Sequence, residues 1–126
     1  MQDAFTYNVF PNFSPWGGFT PAVVYRWRPW PDQDHTLMEV RILDFVKPGE
    51  KTPPAVPMRM LAEDETWAEA LGVLGSIVDQ DMGNLPHVQT GMKASKNRKL
   101  LLADYQESRI RHFHQTLDKY LSEVGA

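Results

Sequence analysis

The densest run of chemistry-bearing side chains is Asp79-Gln80-Asp81, with Asn84 and His87 close behind. Carboxylates, an amide and an imidazole together suit a divalent cation. Carboxylate oxygen satisfies hard ions, and iron or zinc also accepts imidazole. The plainer reading is that Asp and Asn are the solvated residues with which helices often end. A carboxylate at a helix C-terminus faces the negative end of the helix dipole, a small conflict that tilts the reading toward function. His112 and His114 form a second candidate pair. Two residues apart on a helix they point in different directions, so they cannot chelate one ion. With His35, which falls in a turn, they read as satisfied or solvated histidines.

Aromatic residues are the next feature. The four tryptophans, with Phe5, Tyr7, Phe10, Phe13 and Phe19, either line an apolar pocket or, at strand spacing, fill a core. Arg26, Arg28, Arg109 and Arg111 read as solvated or paired faces. No glycine-rich phosphate loop, nucleophile elbow or spaced Ser/His/Asp set is present. The chain has no cysteine. That excludes from it disulfides, thiolate zinc sites, a cysteine nucleophile and any thiolate-held iron–sulfur cluster.

The elements that must position these residues fall in two groups. Phe5–Phe10, Ala22–Trp30 and Thr36–Phe45 alternate apolar and polar residues with period two, which marks half-buried antiparallel strands. In the second, Val23, Tyr25 and Trp27 share one face and Arg26 and Arg28 the other. In the third, Met38, Val40 and Ile42 point inward, Glu39 and Arg41 outward. The turn residues Pro31-Asp32-Gln33-Asp34 join these two as a hairpin, so the arginines and Glu39 can pair across strands. The stretch from Pro11 to Gly18, rich in proline and glycine, is expected to be irregular. Lys47 to Pro57 reads as a surface connection rather than a domain linker. Thr66-x-x-Glu69 is a capping box that opens a helix, with Trp67, Leu71, Leu74 and Val78 as its apolar stripe. Gly72 and Gly75 inside it suggest close approach of a backbone or ligand, and Gly83 and Pro86 are expected to end it near Asp79 to Asp81. Leu100–Leu102 is a candidate short strand. A second helix is expected from about Asp104 to Glu123, with Ile110, Phe113, Leu117, Tyr120, Leu121 and Val124 as its apolar face and Glu107–Arg111 as an i,i+4 pair. Strands followed by helices indicate an α+β fold, an antiparallel sheet covered on one face.

Size and charge narrow the function classes. A chain of 126 residues is expected to form one domain, residues 1–126, with a single core. A net charge of −3 with no basic face argues against nucleic acid. No apolar run approaches the roughly 20 residues of a membrane span. Met1 to Tyr7 lacks the basic-then-apolar pattern of a signal peptide. The absence of cysteine fits a cytoplasmic protein.

Four segments in order resemble one family. Tyr7-Asn8-Val9-Phe10-Pro11-Asn12 resembles the strand and turn lining the mononuclear iron pocket of ring-hydroxylating oxygenase alpha subunits. Val23-Val24-Tyr25-Arg26-Trp27-Arg28-Pro29 resembles the strand after it. Asp79-Gln80-Asp81 with Val88-Gln89-Thr90-Gly91 resembles the stretch that carries the iron-binding aspartate, although Thr90 stands where the family usually has Arg. Glu107-Ser108-Arg109-Ile110-Arg111-His112-Phe113-His114 with Leu117-Asp118-Lys119-Tyr120-Leu121 resembles the C-terminal helix.

The resemblance implies a helix-grip-like α+β fold, with a sheet wrapped over a long C-terminal helix. It implies the C-terminal part of the catalytic domain of a Rieske-type dioxygenase, an oxidoreductase that inserts oxygen from O2 into aromatic compounds. In that family two histidines and one carboxylate hold Fe(II), and Asp81 is the position matching the carboxylate, with Asp79 the weaker choice. An aromatic substrate would be lined by inward residues such as Tyr7, Val9, Leu74 and Val78, chosen by strand face and helix stripe rather than by motif. The family's histidine pair lies upstream of the first strand seen here, so the chain alone is expected to be inactive. Its partners would be the remainder of the alpha subunit, an aromatic or other apolar small molecule, and a second copy, because an open sheet edge favours homo-oligomers. The alternative is a stand-alone helix-grip module that binds a small apolar ligand without catalysis.

Overall fold

The computed structural model describes residues 4–18, 21–97 and 99–125. Its elements are β1 (Phe5–Thr6), β2 (Phe13–Gly17), β3 (Ala22–Pro29), β4 (Thr36–Leu43), α1 (Trp67–Leu71), α2 (Val73–Ala94) and α3 (Ser108–Val124). An antiparallel sheet followed by helices, the last of them long, is the α+β architecture anticipated above. Two compact units are distinguished: Met1–Thr52 with Leu102–Ala126, and Pro53–Leu101 between them. One boundary falls within the proline-rich segment from Lys47 to Pro57, so this segment joins two units rather than only crossing a surface; the other falls between Leu101 and Leu102. No helix among the described residues is long and apolar enough to cross a membrane.

The first unit is built on a four-stranded meander in the order β1-β2-β3-β4. β3 is its spine, with Val23 at 2 % exposure, Val24 at 9 % and Tyr25 at 7 %. Burying one such valine contributes roughly 1.5–3 kcal/mol. Trp16 meets Tyr25 edge to face at 5.6 Å, and Tyr25 meets Trp27 at 5.8 Å. The β3–β4 register sets Arg26 opposite Glu39, and the expected cross-strand pairing forms. Arg26 donates from Nε and Nη2 at 3.0 and 2.9 Å, and Arg28 Nε approaches the same carboxylate at 2.9 Å. β4 is the edge strand, and its burial fades toward the C-terminal end. Ile42, expected to point inward, is 41 % exposed.

Two expectations for the N-terminal segment are corrected. The first strand is only Phe5–Thr6, followed by an isolated bridge between Val9 and Phe13. Much of the stretch thought irregular is β2, which carries Pro15 paired with Val24. The reason lies in hydrogen-bond direction. The Pro15 carbonyl accepts from Tyr7 N–H at 3.1 Å. A strand residue's N and C=O point the same way, so the missing proline N–H faces the β1 side and removes no bond to β3.

In the second unit the capping box forms as its residues require. Thr66 Oγ1 accepts from Glu69 N–H at 3.2 Å, and Glu69 Oε2 accepts from Thr66 N–H at 2.8 Å. The helix does not continue to Asp81 as one piece. It breaks at Gly72, whose φ of +61° is the left-handed region glycine favours, and restarts as α2. That helix runs 22 residues, through Gly83 and Pro86, to Ala94. An interior proline costs one backbone hydrogen bond and about 3 kcal/mol, yet the turns on either side persist. The carboxylates of Asp79 and Asp81 therefore lie inside a helix, and the dipole conflict inferred at a helix end does not arise. The stripe holds: Trp67, Leu71 and Leu74 are half-buried and Val78 is 4 % exposed. A Cβ on Gly75 would stand 1.9 Å from the Trp67 carbonyl oxygen, so this glycine marks the close backbone approach its position suggested.

Leu100–Leu102 is not a strand; Leu101 is fully exposed, and no neighbouring strand offers it a ladder. α3 begins at Ser108 rather than near Asp104. The Glu107 carboxylate accepts the Ala103 N–H and Arg111 donates to the carbonyls of Ala103 and Asp104. Each thus finds backbone partners in the preceding loop in place of the expected i,i+4 pair. Of the apolar face of α3, Phe113 and Leu117 are half-buried; Ile110, Tyr120, Leu121 and Val124 are exposed.

Candidate functional site

Within the first unit α3 meets the sheet at its β1 end. Phe10, on the turn after β1, stacks on Tyr120 at 5.1 Å and lies tilted against Phe113 at 5.5 Å. Arg109 Nη1 donates to Thr6 Oγ1 at 2.8 Å and to the Thr6 carbonyl at 3.4 Å. These contacts frame a cleft of about 550 Å³, within the range of small-molecule sites. Thr6, Tyr7, Asn8 and Phe10 form one wall; Ser108, Arg109, His112, Phe113 and Thr116 form the other. The second wall is one face of α3, because positions 109, 112, 113 and 116 recur at three- and four-residue spacing. Asn8 is held in turn by Ser14, a buried hydroxyl that donates to Asn8 Oδ1 at 2.9 Å.

The pocket residues chosen from sequence separate. Tyr7 lines the cleft. Val9 is 49 % exposed; its N–H donates to the Phe13 carbonyl at 2.7 Å, and its side chain is not part of the lining. Leu74 and Val78 belong to α2 in the second unit. Of the other aromatics, Phe10 lines the cleft, Trp16 joins the sheet's ring cluster, Trp67 is half-buried, and Trp30 is 51 % exposed. Phe19 lies outside the described residues. Arg109 and His112, read from sequence as solvated or satisfied, are the strongest polar groups of the cleft. Their shared helical spacing with Phe113 was the available signal.

The two aspartates of α2 have different tasks. Asp79 Oδ1 accepts the Trp67 N–H at 2.8 Å and Oδ2 accepts the Ala68 N–H at 2.9 Å. Both oxygens thereby satisfy orphan donors at the start of α1, where the helix dipole also favours a negative charge. Asp81 is exposed and has no hydrogen bond or ion pair to the described residues, and Gln80, Asn84 and His87 are exposed on the same helix. Asp81 is therefore the carboxylate of the pair still available for another task. Among the described residues no group of three or more His, Cys, Asp or Glu side chains could hold a metal ion. His112 and His114 do not chelate together: His112 lines the cleft while the His114 ring lies edge-on to Phe113.

Electrostatics elsewhere is structural. On the sheet, Arg26 and then Arg28 hold the Glu39 carboxyl below the usual glutamate range; Glu39 is 8 % exposed. The Thr66 N–H does the same for Glu69. At the β3–β4 turn the His35 ring bonds the Asp32 carboxylate at 2.7 Å and lowers its pKa.

Compared with known proteins, no curated protein and no solved structure matched the chain. The sequence profile described as "Ring hydroxylating alpha subunit (catalytic domain)" matches residues 1–123, which takes in residues of both units, six elements whole and α3 up to its last residue. The chain belongs to the ring-hydroxylating alpha subunit catalytic-domain family.

Proposed function

We propose that this chain is the C-terminal part of a catalytic domain whose parent inserts oxygen from O2 into an aromatic substrate at a mononuclear non-haem iron. Electrons would reach that iron from a nicotinamide cofactor by way of a reductase and a Rieske cluster carried outside this chain. The observation that supports the reading is the family match over residues 1–123, together with the division of labour on α2. Asp79 is consumed in capping α1 while Asp81 stands free. Asp81 would supply the carboxylate ligand, and two histidines from the parent's preceding segment would supply the rest. The iron, when bound there, provides the centre at which O2 is activated.

The test is a count of bound iron. Loaded anaerobically with Fe(II) and freed of excess, the chain alone is expected to hold well under one iron. Stoichiometric, tightly held iron would overturn that expectation. Joined to the histidine-bearing segment of its parent, it is expected to hold one. Asp81→Asn should abolish this binding and Asp79→Asn should leave it. The reverse pattern would transfer the ligand role to Asp79.

A second reading is favoured by the cleft beside α3: a stand-alone module that encloses a small apolar ligand without metal. A fluorescent apolar probe that binds the chain with saturation would support it, and a probe that fails to saturate would remove it.

A further inference from the structure

We infer that the cleft between residues 6–10 and the first turns of α3 is a binding site for an aromatic ring carrying a carboxylate, with Arg109 selecting the charge. Two observations lead there. The ring-binding part is already assembled: Phe10 and Phe113 pack tilted against each other at 5.5 Å and both border the cleft, Tyr7 adds a third aromatic side chain to its lining, and about 550 Å³ accommodates a substituted ring. The charge-binding part is Arg109. Its Nη1 is occupied by Thr6 at 2.8 Å, which fixes the plane of the guanidinium. Its Nε and Nη2 donors have no partner among the described residues, and that edge is the fork that meets a carboxylate with two parallel hydrogen bonds.

The lining strengthens the selection. Among the described residues no Asp or Glu lines the cleft, and the fixed charge they bring to it is positive. Glu107, the nearest acid along the chain, is turned to the Ala103 N–H. His112, one turn beyond Arg109 on the same wall, adds a second nitrogen donor. A neutral ring gains only the aromatic contacts, and a small aliphatic acid gains only the guanidinium. The aromatic acid gains both. Binding rests on the cleft alone; only the naming of this ligand as a substrate class rests on the proposed function.

Calorimetric titration of the full chain with benzoate, benzamide and acetate at neutral pH tests the inference. Benzoate is expected to saturate, and benzamide and acetate to bind at least about tenfold more weakly, the scale of a bidentate charged contact. Arg109→Gln should bring benzoate down to the benzamide level and leave benzamide unchanged, which shows the ring site intact. Arg109→Lys, which keeps the charge and loses the fork, should fall between. In NMR, benzoate should shift the ring signals of Phe113 and His112. Equal binding of benzoate and benzamide, or undiminished benzoate binding by either arginine variant, would overturn the inference, as would the absence of saturable benzoate binding. Because the titration needs no iron, such a failure leaves the iron count of the parent untouched, and a failed iron count leaves this site standing.

Discussion

At the scale of single residues, adjacent carboxylates separate by what each touches. Asp79→Asn keeps the shape but weakens acceptance of two backbone donors at the start of α1. It is expected to cost about 1–2 kcal/mol of stability in urea denaturation. Asp81→Asn, at an exposed position without partners among the described residues, should stay within about 0.5 kcal/mol. Equal losses would refute the assignment of the cap to Asp79. Gly75→Ala forces a methyl onto the Trp67 carbonyl and should destabilise by about 1–3 kcal/mol. Acid sensitivity follows from carboxylates whose folded pKa is depressed, Glu39 chief among them. A depressed folded pKa gives stability that is whole above the unfolded glutamate range and drains away as pH falls through the folded value. Glu39→Gln should therefore flatten the acid limb of a stability-versus-pH curve, and an unchanged limb would count against the arginine pairing. The pairing itself was legible in sequence, because alternation fixes which residues share a face. The role of Asp79 was not, since its partners lie 11 and 12 residues back across a turn.

At the scale of elements, local signals succeeded where one rule dominated and failed where two competed. The capping box and the stripe from Trp67 to Val78 have no rival interpretation and hold. β2 was hidden because Pro11, Pro15, Gly17 and Gly18 read as breakers; only the direction in which Pro15 lacks a donor reconciles it with a strand. α2 was cut short for the same reason, Pro86 being taken as a stop. Because α2 is continuous through that residue, Pro86→Ala returns a hydrogen bond to the Met82 carbonyl. Thermal unfolding followed by circular dichroism should then show a gain of about 1 kcal/mol or more. A loss would place a break at that point. The cleft was half legible. Tyr7 came from the strand pattern, while Arg109 and His112 needed α3 to be brought beside Thr6 from 103 residues away, which no spacing rule encodes.

At the scale of the whole molecule, β4 leaves one side of the sheet open, with Ile42 41 %, Leu43 52 % and Phe45 82 % exposed. Unpaired edges with apolar side chains template further pairing. Light scattering is expected to give a mass above 14.4 kDa that rises with concentration, and Ile42→Lys should lower it. A clean monomer at high concentration would show the edge to be protected. The first unit is also discontinuous in sequence, its sheet at one end of the chain and α3 at the other, with Pro53–Leu101 between. During synthesis the ribosome releases the strands first, and the helix that supplies Arg109 and Phe113 follows only after Pro53–Leu101 has been made. Closing so long a loop also carries an entropic cost that shorter hairpins avoid. The cleft beside α3 is therefore the latest part of this unit to come into being, and a nascent chain stalled before Ser108 carries its sheet without it.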